Sequence, residues 1–314
     1  MNAQTIQAAH DRIRSYIHRT PVLTNRTIDA LAGAEIHFKC ENFQKIGAFK
    51  ARGGLNAVLQ LSPDERRAGI VTHSSGNHAQ AIAYAAKQVN VRAYIVMPST
   101  APQVKKDAVR DYGAEVIECE PILVAREQGV RDVIARTGAA LVHPFDDDRV
   151  IAGQATAAKE LIEDAGIDRA FDWILAPVGG GGLLSGTALS SHFFSPTTKV
   201  MAGEPEGAAD AVLSFASGRV ESAPYINTIA DGLLTNLSDR TLAIIRQHVT
   251  AIKTVSDPEI IAAMRLVWER MKIIIEPSCA VPLAVVLKHR DQFVGQKVGI
   301  ILTGGNVDLG KLPF

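Results

Sequence analysis

The chain has 314 residues, 47% of them hydrophobic. A chain of this size buries about three quarters of its unfolded surface, so one large core or two cores sharing the chain are feasible and disorder is not expected. Its 33 Lys and Arg balance 33 Asp and Glu. That removes the electrostatic footprint of a nucleic-acid or anionic-membrane binder and leaves a small molecule as the expected partner.

In chain order, an amphipathic N-terminal pattern (Ile6, Ala9, Ile13, Ile17) comes first. β-Branched runs at 69–73, 92–97, 115–119, 173–178, 199–203 and 298–303 then predict strands. Helical stretches lie between them, such as 77–89 and 258–271, the latter opening with Pro258 after Ser256 and Asp257. Strand and helix alternating in this way imply a parallel sheet covered on both faces. No linker or repeat is evident, so a domain boundary has to be an exchange of chain between packed sheets. Residues 44–47 mark one such point, and Pro121 and Pro144 bracket another. Cys40, Cys119 and Cys279 have no CxxC spacing, so reduced, mostly buried thiols are expected rather than a disulfide framework or a zinc site. No run of about 18 apolar residues occurs, and a soluble cytoplasmic protein is expected.

Ligands of open α/β sheets settle at the carboxyl ends of strands. Four segments there carry chemistry. Gly179, Gly180, Gly181 and Gly182 follow a buried strand and open a helix at Leu183, offering exposed amides to a phosphate. The Walker and GxGxxG patterns both fail there, which disfavours a nucleotide; a tight crossover is the bland alternative. Lys50, flanked by Ala48, Phe49 and Ala51, is a candidate desolvated amine able to form an imine; the alternative is an ordinary surface lysine. In Thr72-His73-Ser74-Ser75-Gly76-Asn77-His78 a strand runs into a small polar turn whose amides suit a carboxylate, unless Ser74 or Ser75 merely caps the next helix. Thr303, followed by Gly304 and Gly305, places a hydroxyl at the end of the last strand. His73 and His78 have no spacing that suggests a triad or a metal.

Together these segments resemble fold-type II pyridoxal-phosphate (PLP) enzymes of the serine racemase, threonine dehydratase and 3-hydroxyaspartate dehydratase group. The likeness spans about residues 13–312 and rests on GAFKARGG, THSSGNHA, APVGGGGLLSG, TIADGL, VWERMKIIIEPS and LTGGNVDLG. It implies an α/β fold of the tryptophan synthase β-like type, with two open, twisted, mostly parallel sheets flanked by helices. The active site is then expected between a large PLP-binding domain (1–46 and 147–314) and a small mobile domain (47–146).

The resemblance further implies that Lys50 carries PLP as an imine and Phe49 lies near its ring. Asn77 would bond the ring oxygen, and Gly179, Gly180, Gly181, Gly182 and Leu183 would hold the phosphate. Thr303 would set a neutral hydroxyl against the pyridine nitrogen, a weaker electron sink that favours leaving-group expulsion over transamination. The substrate carboxylate would dock on Ser74, Ser75, Gly76, Asn77 and His78, with Lys50 as general base and Ser75 as a second acid/base.

Glu204, the Ala208 carbonyl and Asp210 match the family's divalent-cation site, an all-oxygen set suited to Mg²⁺, Mn²⁺ or Ca²⁺. Arg126 matches an arginine of serine racemases and hydroxyaspartate dehydratases, and would grip a second substrate carboxylate; a solvated helix charge is the alternative. Phe145 follows the dehydratase pattern where serine racemases carry Asn, and the C-terminal stretch looks like that of β-hydroxyaspartate dehydratases. The expected activity is elimination of water from a β-hydroxy amino acid, foremost 3-hydroxyaspartate to oxaloacetate and ammonia. Serine or threonine dehydration and serine racemisation are the alternatives within the family, and a non-catalytic PLP-binding paralogue is the alternative from another class. A homodimer follows from the resemblance alone, and no C-terminal regulatory domain is expected to fit.

Overall fold

The computed structural model describes residues 1–166 and 170–314. Its strands form two sheets. The larger has six strands in the order β1 (Val22–Leu23), β2 (Glu35–Cys40), β10 (Lys297–Leu302), β7 (Trp173–Pro177), β8 (Lys199–Pro205), β9 (Ala251–Val255). Only β1 pairs antiparallel. The smaller sheet, all parallel, runs β5 (Glu115–Cys119), β4 (Ala93–Pro98), β3 (Ile70–His73), β6 (Ala140–Leu141).

The central strands are near-continuous apolar runs because helices cover both faces. All six residues of Ala-Tyr-Ile-Val-Met-Pro in β4 are buried, as are the last five of β10. The N-terminal helix Ala3–Ile13, capped by Asn2, buries Ile6, Ala9 and Ile13.

The helices Lys50–Val58 and Asp148–Ala165 cross closely enough to need glycine. A Cβ on Gly153 would stand 2.6 Å from the Gly53 Cα and the Arg52 carbonyl. Beneath this crossing Arg52, fully buried, forks between two carboxylates. Its Nε and Nη2 donate to Glu41 at 2.7 and 2.8 Å, and Nη1 and Nη2 to Glu160 at 2.9 and 2.8 Å. Lys39, also fully buried, reaches Glu160 at 2.8 Å. Two cations thus neutralise two anions, the condition under which buried charge is tolerated.

Every strand and helix expected from the sequence is present, with boundaries shifted by one or two residues. Strands β1, β2, β6 and β9 were not expected. β1 and β6 have two residues each, too short for periodicity, and β2 carries Lys39 on a buried position explained by its partners Glu160, the Thr20 carbonyl and Asp164. β9 is a half-exposed edge. The three cysteines are unpaired, with Cys40 and Cys279 buried and Cys119 half-buried. No helix among the described residues is long and apolar enough to cross a membrane.

Candidate active site

Lys50 is the first residue of its helix, reached through Phe49, whose amide donates to the Thr303 carbonyl (2.9 Å). The Lys50 Nζ donates to the Pro144 carbonyl at 3.0 Å and lies 5.2 Å from the centroid of the Phe49 ring. The residue is half-buried, and desolvation of the amine pushes its ammonium down to about 8. No neighbouring carboxylate opposes this shift, so a reactive neutral amine becomes accessible near physiological pH.

Other strand ends converge on Lys50. After β7, Gly181 opens the helix Gly182–Phe194 with φ +84, and a Cβ there would meet Leu237 and Thr241 at 2.8 Å. A Cβ on Gly180 would lie 2.2 Å from the Phe145 ring, so the bare loop lets this ring pack against it. The first amides of that helix have no intrahelical acceptor and form an anion cradle. After β10, Thr303 is 3% exposed and its Oγ1 has no hydrogen-bond partner of ordinary geometry, although the Cys279 thiol stands beside it.

After β3 comes the Ser74–Asn77 turn. Neither serine caps the helix Asn77–Gln88: Gly76 is its N-cap, and Ser74 Oγ accepts from the Gly76 amide at 3.2 Å. The Ser75 hydroxyl makes no hydrogen bond among the described residues. His78 is buried with Nε2 facing the Val142 carbonyl at 3.4 Å, and burial holds its ring well below the ordinary histidine range. Asn77 Nδ2 donates to both oxygens of Glu276 (3.0 and 3.2 Å).

Arg126 lies on the helix Leu123–Thr137 and is half-buried rather than solvated. Its Nε is enclosed without a partner. Burial, then the neighbouring His143 and the Arg126 charge, hold His73 at about 4. His73 meets His143 edge to face at 5.8 Å, and His143 meets Phe145 at 4.7 Å. His143 Nδ1 accepts from the Asp146 amide at 2.9 Å, which fixes its ring hydrogen on Nε2. A file of neutral rings therefore links the Arg126 side of the cleft to the segment that holds Lys50.

The expected cation ligands lie at the carboxyl end of β8, which contains Glu204, and in the turn after it. Glu204 and Asp210 are 1% and 2% exposed, and burial pushes their carboxyls up, to about 8 and about 6. Glu204 accepts from the Ala211 (2.6 Å) and Val212 (2.9 Å) amides, capping the helix Asp210–Ser217, while Asp210 Oδ2 is buried without a partner. Ala208 is buried beside them. Among the described residues no group of three or more His, Cys, Asp or Glu could hold a metal.

Sequence reasoning gave no role to Glu276, Asn306 or His143. Glu276 is 5% exposed, and burial pushes it up to about 7 against the Asn77 hydrogen bonds. The signal for it was present: one acid inside Ile-Ile-Ile-Glu-Pro-Ser-Cys-Ala-Val, immediately before a helix-opening proline.

A family model described as "Pyridoxal-phosphate dependent enzyme" matches residues 13–304. The chain is 50% identical over 307 residues to the β-hydroxyaspartate dehydratase of Paracoccus denitrificans, covering 98% of this chain and 96% of that protein. It is 48% identical over 304 residues to the L-threo-3-hydroxyaspartate ammonia-lyase of Saccharomyces cerevisiae, covering 96% and 92%. The crystal structure of serine racemase from Dictyostelium discoideum superimposes with a TM-score of 0.93 at 50% identity, covering 98% of this chain and 99% of that one.

Proposed function

The chain belongs to the family of pyridoxal-phosphate dependent enzymes, and from that premise we propose that it is a hydroxy-amino-acid ammonia-lyase converting 3-hydroxyaspartate to oxaloacetate and ammonia. The site fits the cofactor: a half-buried, readily deprotonated amine at Lys50, a glycine cradle at 179–182, an unpartnered Thr303 hydroxyl and an Asn77 amide that reaches Glu276 and leaves a hydrogen to spare. Bound there, PLP supplies the electron sink for charge left when a proton leaves the substrate Cα.

The chain's own groups do the rest. Lys50 Nζ would hold the cofactor and, as a free amine, would take the substrate Cα proton. With the Ser74 and Gly76 amides engaged by Val96 and Ser74, those of Ser75, Asn77 and His78 would bind the α-carboxylate at the helix N-terminus, and Thr303 would present a neutral hydroxyl to the ring nitrogen. The proton that Lys50 takes from Cα would pass to the departing hydroxyl, which leaves as water, and the released enamine would hydrolyse to the keto acid and ammonia. Because the neutral amine is the nucleophile, PLP addition to cofactor-free protein slows about tenfold per pH unit below about 8 and levels off above it. Stopped-flow absorbance measures that slope, and a flat profile between about pH 6 and 8 contradicts it.

The observation that carries the substrate assignment is Arg126, half-buried with an unpartnered Nε and with its charge felt by His73, one residue before the carboxylate-binding turn. A bidentate grip on the second carboxylate of the substrate contributes roughly 1.5–3 kcal/mol, about one to two decades of selectivity. Arg126→Ala should therefore lower kcat/KM for 3-hydroxyaspartate by about 10- to 100-fold while changing serine turnover less than about threefold. Equal loss on both substrates removes the assignment. Racemisation is the second reading, favoured by a Ser75 hydroxyl free to carry a proton and by the similarity to a serine racemase. Chiral analysis of product and remaining substrate decides between them.

The smaller sheet is drawn wholly from residues 70–141, which supports a mobile unit over 47–146 closing on the remainder, with Lys105 and Asp231 in an ion pair at 3.1 Å. The buried carboxyls of Glu204 and Asp210 with the Ala208 carbonyl would hold a Mg²⁺, Mn²⁺ or Ca²⁺ ion in a structural role, its charge answering the unpartnered Asp210 oxygen. A cytoplasmic homodimer completes the reading.

A further inference from the structure

Asn306 lies beyond the residues assigned to the cofactor, yet its side-chain amide joins three segments. Its Nδ2 donates to the Ile46 carbonyl at 2.8 Å and to Asn77 Oδ1 at 2.8 Å. Asn77 Nδ2 then donates to Glu276. A backbone carbonyl can only accept, so Ile46 fixes Asn306 Nδ2 as the donor. That in turn fixes Oδ1 as the Asn77 atom facing Asn306, and Nδ2 as the atom facing Glu276. Asn306 uses both of its amide hydrogens, whereas Asn77 keeps one free.

The same residue braces an unusual turn. Ile46 has φ 59 and ψ 10, a left-handed conformation that β-branched side chains rarely adopt. Gly47 follows at φ 70, where a Cβ would lie 2.8 Å from Asn306 Oδ1. The Gly305 amide donates to the Gly47 carbonyl at 3.0 Å, and Phe49 and Lys50 come directly after.

We propose that Asn306 is a positioning residue that sets which way round the Asn77 amide stands and holds the 46–49 turn that delivers Phe49 and Lys50. Its consequence for turnover rests on the cofactor reading above; its local part does not. An alanine at 306 removes both hydrogen bonds but leaves Asn77 oriented by Glu276. An aspartate, nearly the same shape, has no hydrogen to give. It turns the Asn77 amide round, Glu276 (held up at about 7) taking a proton from solvent to donate to the Oδ1 that then faces it, and puts an oxygen where the free N–H was.

Two measurements test this. In cofactor-free protein, hydrogen exchange at Phe49 and Gly305 should quicken about tenfold in both Asn306→Ala and Asn306→Asp. In PLP-loaded enzyme, Asn306→Asp should displace the cofactor absorbance and lower kcat about tenfold further than Asn306→Ala, with KM changed less than about threefold. A purely structural role predicts the reverse order, because aspartate preserves shape. Parental exchange in both variants, or an aspartate variant no worse than alanine, overturns the proposal. If borohydride traps no adduct on Lys50 of the parent, the cofactor reading fails and the exchange result alone decides the role of Asn306.

Discussion

Lys50→Ala loses turnover by at least ~10⁴-fold in kcat/KM, since a positioned general base alone contributes about 10²- to 10⁴-fold and the covalent anchorage of the cofactor goes with it. The fold should survive. The Lys50 amine makes one hydrogen bond, to the Pro144 carbonyl, and removing it relieves the burial that holds it at about 8. Keto-acid release followed in a coupled assay, beside a thermal melt, separates the two effects. Residual activity within about tenfold of the parent places the reacting amine elsewhere.

Arg52→Ala carries the largest expected cost to stability. It leaves Glu41 and Glu160, 0% and 1% exposed, without the guanidinium that pairs both, and breaking a buried pair from one side costs about 3–5 kcal/mol. The contrasting change is Arg19→Ala: its pairs with Glu163 and Asp164 are at the surface, and less than about 1 kcal/mol is expected. Denaturant titration compares them, and similar midpoints for both variants contradict the buried-network account.

The pH dependence has a definite sign. Burial alone would raise Glu160, but the hydrogen bond and charge of Arg52, then Lys39, hold it down at about 2. A carboxyl whose folded value lies below its unfolded value stabilises the fold above about pH 4.5, and the contribution fades as pH falls towards about 2. Removing Arg52 should move that loss to higher pH.

Much of this site could be read from the sequence because its parts are local. The glycine run after β7, the polar turn after β3 and the Thr-Gly-Gly after β10 each follow an apolar run, β7 and β10 as neighbours in the larger sheet and β3 in the smaller one. Relations that no local pattern encodes were hidden. Arg52 reads as an ordinary helix arginine until Glu160, 108 residues away, comes beside it. Lys39 interrupts the apolar pattern of β2 for the same reason. The Asn77, Asn306 and Glu276 chain links separations of 229 and 199 residues, so only the packed sheets reveal it. Helix capping by Ser74 or Ser75, a reasonable expectation from composition, gave way to Gly76, with the Ser74 hydroxyl spent on the Gly76 amide inside the turn.

The central claim is that the side-chain nitrogen of Lys50 bonds the cofactor aldehyde. Incubating the protein with pyridoxal phosphate, reducing with borohydride and sequencing the peptides by mass spectrometry tests it directly. The account predicts a single pyridoxyl adduct on the peptide carrying Gly-Ala-Phe-Lys50. An unmodified Lys50, or an adduct on another lysine, contradicts it.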